Sequence, residues 1–334
     1  MSRIKDIAEL VSLSPATVSM VLNNRPGFSD ETRARVMEAA RQLNYLPAAT
    51  KRIAADMTEN LPFVICKRHG QVVSETPFFS ALIEAIEYES KNNGRNLSIH
   101  YIHMQNEFSI ESLRGIVANS KCGFLLLATE MEKADCVAIE QLNVPYVLID
   151  NAMLGVCADK VLISNRQGAY TAVEELYRCG HRKIGYLHSS VWISNFEERE
   201  IGYRLAMQEH GLEAREEWIA RIGSAHDTAY RDMLEYCGKC RNMPTAFFAD
   251  NDIIAMGAMK ALQEKGYRIP DDVSLIGFDD TPYCTMMTPN LSTMRVDIHN
   301  IGGVAVRLLL ERNNFRQKVA VETELIRRQS VREL

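Results

Sequence analysis

The chain has 334 residues, of which 46% are hydrophobic and 24% charged, and its formal net charge is −5. This length suggests about two or three domains, and the composition is that of a globular protein with enough chain to bury substantial cores. The negative net charge excludes a protein that is basic throughout.

The charge is unevenly distributed along the chain. Residues 1–58 carry eight Lys or Arg and six acidic residues, so this segment is +2 while the remainder is −7. A slightly basic segment on an acidic body indicates a polyanionic partner for the first segment only.

The chain shows no apolar run of transmembrane length, and its polar start MSRIKDIAELVSLS lacks the apolar region of a signal peptide. We therefore expect a cytoplasmic protein without a membrane partner. The eight cysteines lie mostly in apolar runs, which indicates reduced, buried thiols. Cys237 and Cys240 form the one close pair, but zinc would require two further ligands at matching spacing, so we predict no metal site.

Three short helices are predicted in the first 47 residues. Apolar residues recur at helical spacing in IKDIAELV, and Ser14 followed by Pro15 provides an N-cap and a first helical residue for PATVSMVL. A third helix starts after Ser29 in SDETRARVMEAARQLNYLP and ends at Pro47. Two helices joined by a tight turn predict a helix-turn-helix, although the pattern alone also fits a generic helical cap or protein-interaction module.

Residues 48–60, AATKRIAADMTEN, are predicted to form either a short helix or a plain linker. From residue 61, apolar strands such as FVIC, FLLLA, YVLI and FFAD alternate with amphipathic helices. This alternation predicts two doubly wound α/β units with parallel sheets, whose ligands bind beyond the carboxyl ends of the strands, in a cleft where two such edges face each other. The sequence contains no P-loop, no nucleophile elbow and no set of residues with metal-ligand spacing, so it gives no support for catalysis.

Four motifs occur in order within the first 47 residues: I-K-D-I-A, S-x-A-T-V-S-x-V-L-N, S-x-E-T-R-x-R-V and N-Y-x-P. Together they resemble the DNA-binding head of the LacI/GalR family of bacterial transcription regulators. The body resembles the same family through VPYVLIDN, GHRKIGYL, the long segment from ADNDIIAMG to LIGFDD, and IGGVAVRLLLE. The resemblance therefore covers effectively the whole chain.

The resemblance implies a lambda-repressor-like all-α head followed by two Rossmann-like subdomains of periplasmic-binding-protein type I. It divides the chain into a head at 1–47, a hinge at 48–60 and an effector-binding and dimerisation domain at 61–334. The N-subdomain then comprises about 61–163 and 293–318, and the C-subdomain about 164–292 and 319–334.

The resemblance also implies that the second helix of the head enters the major groove of DNA. Pro15, Ala16 and Met20 occupy the positions that face base edges, and the family most often carries Arg where this chain has Met20. An Arg there can contact guanine with two hydrogen bonds, whereas Ala and Met offer apolar contacts such as one with a thymine methyl. Further DNA contacts are implied for the phosphate anchors Thr17, Ser19 and Asn23, and for Lys5, Ser14, Tyr45, Lys51, Arg52, Ile53 and Ala54.

In the resembled family the hinge folds in the minor groove and wedges a leucine into a base step, which kinks the duplex. This chain has Ala54 where that leucine belongs, and its nearest large apolar residues are Ile53 and Met57. Either one of these replaces the wedge or the wedge is weaker.

Polar residues at strand ends are the candidates for holding an effector in the cleft. The resemblance implies Phe78, Asp150, Trp192, Asn195, Arg199, Asn251 and Asp279. Other roles remain open, because Asp279 and Asp280 suit a strand end and Asp252 suits a helix cap. Trp192 and Phe196 suit either stacking on a sugar or packing within their loop. Residues 67–70 lengthen the loop after the first strand, either as a rim of the cleft or, as we favour, as a solvated turn.

We therefore expect a homodimeric, sequence-specific DNA-binding regulator that represses a carbohydrate-utilisation operon at a near-palindromic operator. A small-molecule effector, expected to be a sugar, binds in the cleft and controls DNA binding, with no cofactor. The rival hypotheses are a solute-binding protein for sugar transport, which shares the body, and an enzyme with a sugar- or phosphate-binding α/β fold. The head counts against the first, and the missing catalytic residues count against the second.

Overall fold

The computed structural model describes residues 4–22, 29, 32, 35, 36, 39, 60–104, 110–118 and 120–334. Contacts between Cα atoms divide the chain into two units, one formed by residues 1–60 with 91–96 and the other by residues 61–90 with 97–334. In the described part of the chain, no helix is both long and apolar enough to cross a membrane.

The head contains helices α1 (Ile4–Val11) and α2 (Pro15–Leu22), as predicted. The Oγ atom of Ser14 accepts a hydrogen bond from the backbone N–H of Thr17 at 3.0 Å, which confirms Ser14 as the N-cap of α2. Of the predicted third helix, residues 32, 35, 36 and 39 are described, and they are helical. The three segments share one small apolar core: Ile7, Ala8, Val11, Val18, Val21, Val36 and Ala39.

The first sheet of the body has the strand order β11-β5-β4-β3-β1-β2. The pairs β1–β3, β3–β4, β4–β5 and β5–β11 are parallel. Its strands are β1 (Asn60–Lys67), β2 (Asn96–His103), β3 (Phe124–Leu127), β4 (Tyr146–Ile149), β5 (Asp159–Ile163) and β11 (Lys318–Val321). The helices of this half are α3 (Phe78–Asn92), α4 (Ile110–Val117), α5 (Lys133–Glu140) and α10 (Ile298–Leu310).

The second sheet has the strand order β12-β10-β9-β8-β6-β7. Its edge pair β10–β12 is antiparallel, and the pairs β10–β9, β9–β8, β8–β6 and β6–β7 are parallel. Its strands are β6 (Ile184–Ser189), β7 (Ile219–Ile222), β8 (Ala246–Ala249), β9 (Ser274–Asp279), β10 (Ser292–Val296) and β12 (Thr323–Ile326). The helices are α6 (Asn165–Arg178), α7 (Ser194–Glu209), α8 (His226–Lys239) and α9 (Asp252–Glu264). Central strands such as β3, β8 and β9 are buried along their whole length, as expected when helices cover both faces of a parallel sheet.

The chain crosses between the two sheets three times. The first crossing follows β5, which ends at Ile163. The second follows β10, which ends at Val296, and the third follows β11, which ends at Val321, whereas we had placed these crossings near 292 and 318. Neither strand had been recognised from the sequence: β10 lies between β12 and β9 in the second sheet, and β11 is an edge strand of the first sheet.

Candidate functional site

Six of the seven predicted effector residues line one small cavity between the two sheets. Asp150 follows β4, Asn251 follows β8 by two residues, and Asp279 ends β9, so the three lie at carboxyl ends of parallel strands. Two helices supply the other three residues, which are Phe78 from the start of α3, and Asn195 and Arg199 from the first two turns of α7. The cavity therefore brings these six residues together where the sequence predicted, whereas Trp192 is not part of its lining.

The guanidinium group of Arg199 is held on every side by buried groups. Its Nε atom donates to Oδ1 of Asn165 at 2.9 Å, one Nη atom donates to the backbone carbonyl of Asp250, and the other lies 3.5 Å from Oδ1 of Asp279. The guanidinium carbon also lies 3.6 Å from the centroid of the Phe278 ring, a cation–π contact. Arg199 thus has a fixed orientation and is 3% exposed.

Asp150 joins the two halves of the body. Its Oδ1 atom accepts a hydrogen bond from Nδ2 of Asn195 at 2.8 Å, across the cavity. Its Oδ2 atom accepts a hydrogen bond from Oγ1 of Thr129, which follows β3, at 2.6 Å. Burial raises the pKa of Asp150 above its ordinary value, although these hydrogen bonds and Arg199 oppose the shift.

Asp279 has a more strongly perturbed environment. Burial raises its pKa well above the ordinary value, the positive charge of Arg199 opposes this shift, and the nearby carboxylates of Asp252 and Asp150 add to it. Its backbone has a φ of 112°, and Asp150 has a φ of 65°, conformations that L-residues rarely adopt. Strained backbones and perturbed carboxylates in one cavity are typical of a binding site.

The cavity that remains between these side chains has a volume of about 20 Å³. That is room for about one water molecule, so the polar groups of the cleft satisfy one another in this conformation. A small molecule that entered the cleft would have to replace contacts such as the one between Asp150 and Asn195.

Asn251 has a second role that the sequence analysis assigned to its neighbour. Its Oδ1 atom accepts a hydrogen bond from the backbone N–H of Ile254 at 2.9 Å, so Asn251 rather than Asp252 is the N-cap of α9. The carboxylate of Asp252 instead accepts bonds from the backbone N–H of Thr281 at 2.7 Å and from Oγ1 of Thr293 at 2.6 Å. Asp252 therefore links the start of α9 to the segment after β9 and to β10.

Trp192 lies outside the cavity and is 49% exposed. It lines a separate groove of about 710 Å³ that shares only Ile163 and Asn195 with the cavity. Phe196, which we had left between stacking and loop packing, is buried and lines the cavity. Six further lining residues were not predicted from the sequence, although Thr129 follows a strand as Asp150 does: Val72, Thr76, Phe79, Thr129, Ile163 and Ile193.

The candidate DNA-binding surface of the head is partly described. Pro15 and Met20 are exposed on α2, whereas Thr17 and Ser19 are half-buried. The Oγ1 atom of Thr17 lies 2.8 Å from Oγ of Ser14. Lys5 and Ala16 lie on α1 and α2, and the remaining candidates lie outside the described residues: Asn23, Tyr45, Lys51, Arg52, Ile53 and Ala54, with the alternative wedge Met57.

The eight cysteines are all unpaired, and Cys237 and Cys240 lie at the end of α8. Four of the eight are buried, which is fewer than we expected from the apolar runs: Cys66, Cys136, Cys179 and Cys284. Within the described ranges, no group of three or more His, Cys, Asp or Glu side chains is arranged to hold a metal ion.

Comparisons with known proteins agree with this architecture. The model of bacterial regulatory proteins of the lacI family matches residues 3–48, and the model of a periplasmic binding protein-like domain matches residues 173–331. The HTH-type transcriptional repressor PurR of Mannheimia succiniciproducens is 30% identical over 340 residues, which cover 100% of both chains.

Solved structures share the fold over almost the full length. The transcriptional regulator CelR in complex with cellobiose has a TM-score of 0.72 at 23% identity, with 99% of this chain and 100% of that chain covered. The lac repressor dimer bound to operator and the anti-inducer ONPF has a TM-score of 0.71 at 22% identity, with 99% of each chain covered. From its helix-turn-helix head, its two mainly parallel sheets and its full-length relatives, the chain belongs to the lacI family of bacterial regulatory proteins and is a DNA-binding transcriptional regulator rather than an enzyme.

Proposed function

We propose that this protein is a transcriptional repressor that binds a near-palindromic operator as a homodimer, and that a small polar molecule in the cleft controls its affinity for DNA. The full-length relative PurR, itself named a repressor, supports the first part. The single observation that carries the second part is the convergence of Asp150, Asn195, Arg199 and Asp279 on one cavity between the two sheets. The protein then acts in the cytoplasm, where operator DNA is accessible.

An exposed apolar edge of the first sheet supports the dimer. Strand β2 is an edge strand, and its Ile99 and Tyr101 side chains are exposed, as is Tyr88 on α3. An exposed edge strand with large apolar residues favours association with another chain. A two-fold dimer places its two heads on half-sites about one helical turn apart, which requires a near-palindromic operator.

The chemistry of the cleft narrows the class of effector. Three aromatic rings, those of Phe78, Phe79 and Phe196, line the cavity beside the carboxylates of Asp150 and Asp279. Aromatic faces together with acceptors for N–H groups suit a planar nitrogen heterocycle, and the relation to a repressor named PurR points to purine regulation. We therefore propose a purine base as the first candidate and a sugar, the class expected from the sequence, as the second.

Titration of the full-length protein against labelled operator DNA, with and without guanine or ribose at millimolar concentration, tests this proposal. We expect guanine to change the dissociation constant for DNA at least about fivefold, within the usual range of allosteric coupling. A response to ribose alone would select the sugar class. DNA binding that responds to neither molecule would reject both effector classes while leaving the repressor proposal intact.

A further inference from the structure

The loop after β1 is organised around a single buried carboxylate, that of Glu130, which follows β3 by three residues and is 1% exposed. Its Oε2 atom accepts three hydrogen bonds at 2.8–3.1 Å and its Oε1 atom accepts two at 3.1–3.2 Å. All five donors are backbone N–H groups of the loop: Arg68, His69, Gly70, Val72 and Val73. Although burial alone would raise the pKa of Glu130, these bonds and the nearby side chain of His69 hold it below its ordinary value.

The loop that Glu130 gathers touches both halves of the body. Val72 lines the cavity that contains Asp150 and Arg199. The carbonyl of Gln71 accepts a hydrogen bond from Oγ of Ser224, which follows β7 of the second sheet, at 3.2 Å. The loop therefore lines the cleft and also connects the two halves of the body by a hydrogen bond. It is not only the solvated turn that we favoured from the sequence.

Side-chain contacts do not replace this arrangement. Arg68 lies 2.6 Å from Asp135 and 3.4 Å from Glu132, but these contacts hold its guanidinium group on the partly exposed side of the loop. The backbone N–H groups of Gly70, Val72 and Val73 instead donate hydrogen bonds to Glu130, and this part of the loop includes Gln71. Without Glu130 these five N–H groups would have no acceptor. The loop would then not keep one conformation, because each unsatisfied buried N–H group costs free energy.

We propose that Glu130 is a positioning residue for effector recognition. It fixes residues 68–73 so that Val72 forms one wall of the effector cleft and Gln71 fastens that wall to Ser224 of the other subdomain. The proposal rests on the proposed function, because it takes the cleft to be the effector site. It predicts that the charge and length of the residue at 130 matter to a ligand that this side chain does not touch.

Hydrogen–deuterium exchange of the full-length protein tests the ordering without any ligand. In Glu130→Gln one oxygen is replaced by an NH₂ group that accepts no hydrogen bond, so we expect the amides of 68–73 to exchange at least about tenfold faster. The loss of protection should extend to 76–79 at the cleft and to 223–225 around Ser224. Protection that stays unchanged, or that is lost only at 68–73, would overturn the proposal.

Asp159→Asn is the matched control. Asp159 is another buried carboxylate of the first sheet, at the opposite end of β5 from the cleft, and it accepts bonds from the backbone N–H of Gln317 at 2.8 Å and from Arg316 at 3.0 Å. Its amide variant should increase exchange near 316–317 and leave 68–73 protected. Equal effects of the two variants on 68–73 would show a general loss of stability and would contradict a specific role for Glu130.

A ligand-binding experiment tests this proposal separately from the identity of the effector. Calorimetry with guanine and with ribose should show binding that is weakened about tenfold or more in Glu130→Gln and weakened less in Glu130→Asp, which keeps the charge. Ser224→Ala should weaken binding while residues 68–70 stay protected. Unchanged binding in Glu130→Gln would overturn the role in recognition. If the wild type binds neither molecule, the proposed effector classes fail, and the exchange at 76–79 and 223–225 still decides the proposal.

Discussion

Met20 stands 45% exposed on the surface of α2, at a position where the resembled family most often carries Arg. A thioether side chain makes apolar contacts with base edges and forms no bidentate hydrogen bonds with guanine. This helix is therefore predicted to make few specific contacts with base edges. Specificity is predicted to depend more on the minor groove and on the deformability of DNA.

Met20→Arg should introduce a preference for guanine at one symmetric position of the selected DNA sites, worth about 1–3 kcal/mol of discrimination. The measurement is selection from a randomised DNA library, followed by titration of the guanine and adenine versions of the site. Leu10→Arg, which adds the same charge to an exposed position of α1, is the control and should raise affinity without changing base preference. Identical site preferences for Met20→Arg and wild type would show that Met20 does not face the bases.

Arg199 and Asp279 form the most strongly buried ion pair of the cleft. Arg199→Ala should abolish the response of DNA binding to the effector, because it removes the donors now held by Asn165, Asp250 and Asp279. It should also lower the free energy of unfolding by roughly 3–5 kcal/mol, since Asp279 keeps its burial and loses its partner.

The control for this variant is Arg204→Ala, on the same helix, where the guanidinium pairs with Glu200 and Glu216 near the surface. It should keep the effector response and lose at most about 1 kcal/mol. Both effects are measured by DNA titration with effector and by urea denaturation. A retained response in Arg199→Ala would place the effector elsewhere.

Asp252 makes stability depend on pH. Burial raises its pKa from 3.8 to about 6, so the native state binds its proton more tightly than the unfolded state does. The stability that this proton contributes is complete below pH 3.8 and is lost as the pH rises through about 6. Relative to Asp252→Asn, the wild type should therefore lose about 3 kcal/mol of unfolding free energy over that window.

Urea denaturation at several pH values measures this difference. Asp272→Asn is a control of opposite sign, because Arg268 holds the pKa of Asp272 at about 2 by hydrogen bonds. The contribution of Asp272 is present above pH 3.8 and disappears as the pH falls towards 2. A difference between wild type and Asp252→Asn that stays constant from pH 4 to pH 7 would contradict the account of Asp252.

The helices and strands that were predicted correctly are those with strong local sequence patterns. The apolar runs of β3, β4 and β8 are buried on both faces and were recognised, as were α6, α7 and α9. The strand β7, the helix α8 and the strands β10 to β12 were missed. In β7 Arg221 interrupts the apolar residues, and β11 is only four residues long, so their pairing depends on partners distant in sequence.

The close contact of α6 and α7 depends on Gly202. A Cβ atom there would lie 2.2 Å from the backbone oxygen of Arg166 and 2.9 Å from Cβ of Ala169. Gly202→Ala should therefore separate the two helices and cost roughly 1–3 kcal/mol of unfolding free energy, by overpacking.

Gly238→Ala on α8 is the matched control, because a Cβ atom there meets nothing within 4 Å. It should be neutral or stabilise the protein by up to about 1 kcal/mol, through the lower backbone entropy of the unfolded chain. Thermal and urea denaturation of both variants measure the contrast. Equal stabilities of Gly202→Ala and Gly238→Ala would show that the helices accommodate the extra atom freely.

At the scale of the whole molecule, the two sheets and most of the cleft residues could be predicted, whereas the closure of the cleft could not. Strand ends indicate which side chains converge, and this is why Asp150, Asn251 and Asp279 were found. No local pattern shows that Glu130 is bonded to residues 68–73, since the partners lie about 60 residues away and are backbone atoms. The same limit applies to Trp192, whose position outside the cavity depends on the packing of the loop.

Selection of DNA sites by the purified full-length protein, followed by titration between 50 and 200 mM salt, tests the central claim most directly. We predict enrichment of two-fold symmetric sites with half-sites about one helical turn apart, and affinity that falls by roughly 10³-fold or more across that salt range. Selection that enriches no symmetric site, together with no binding at the lowest salt concentration, would contradict the assignment of this chain as a DNA-binding repressor.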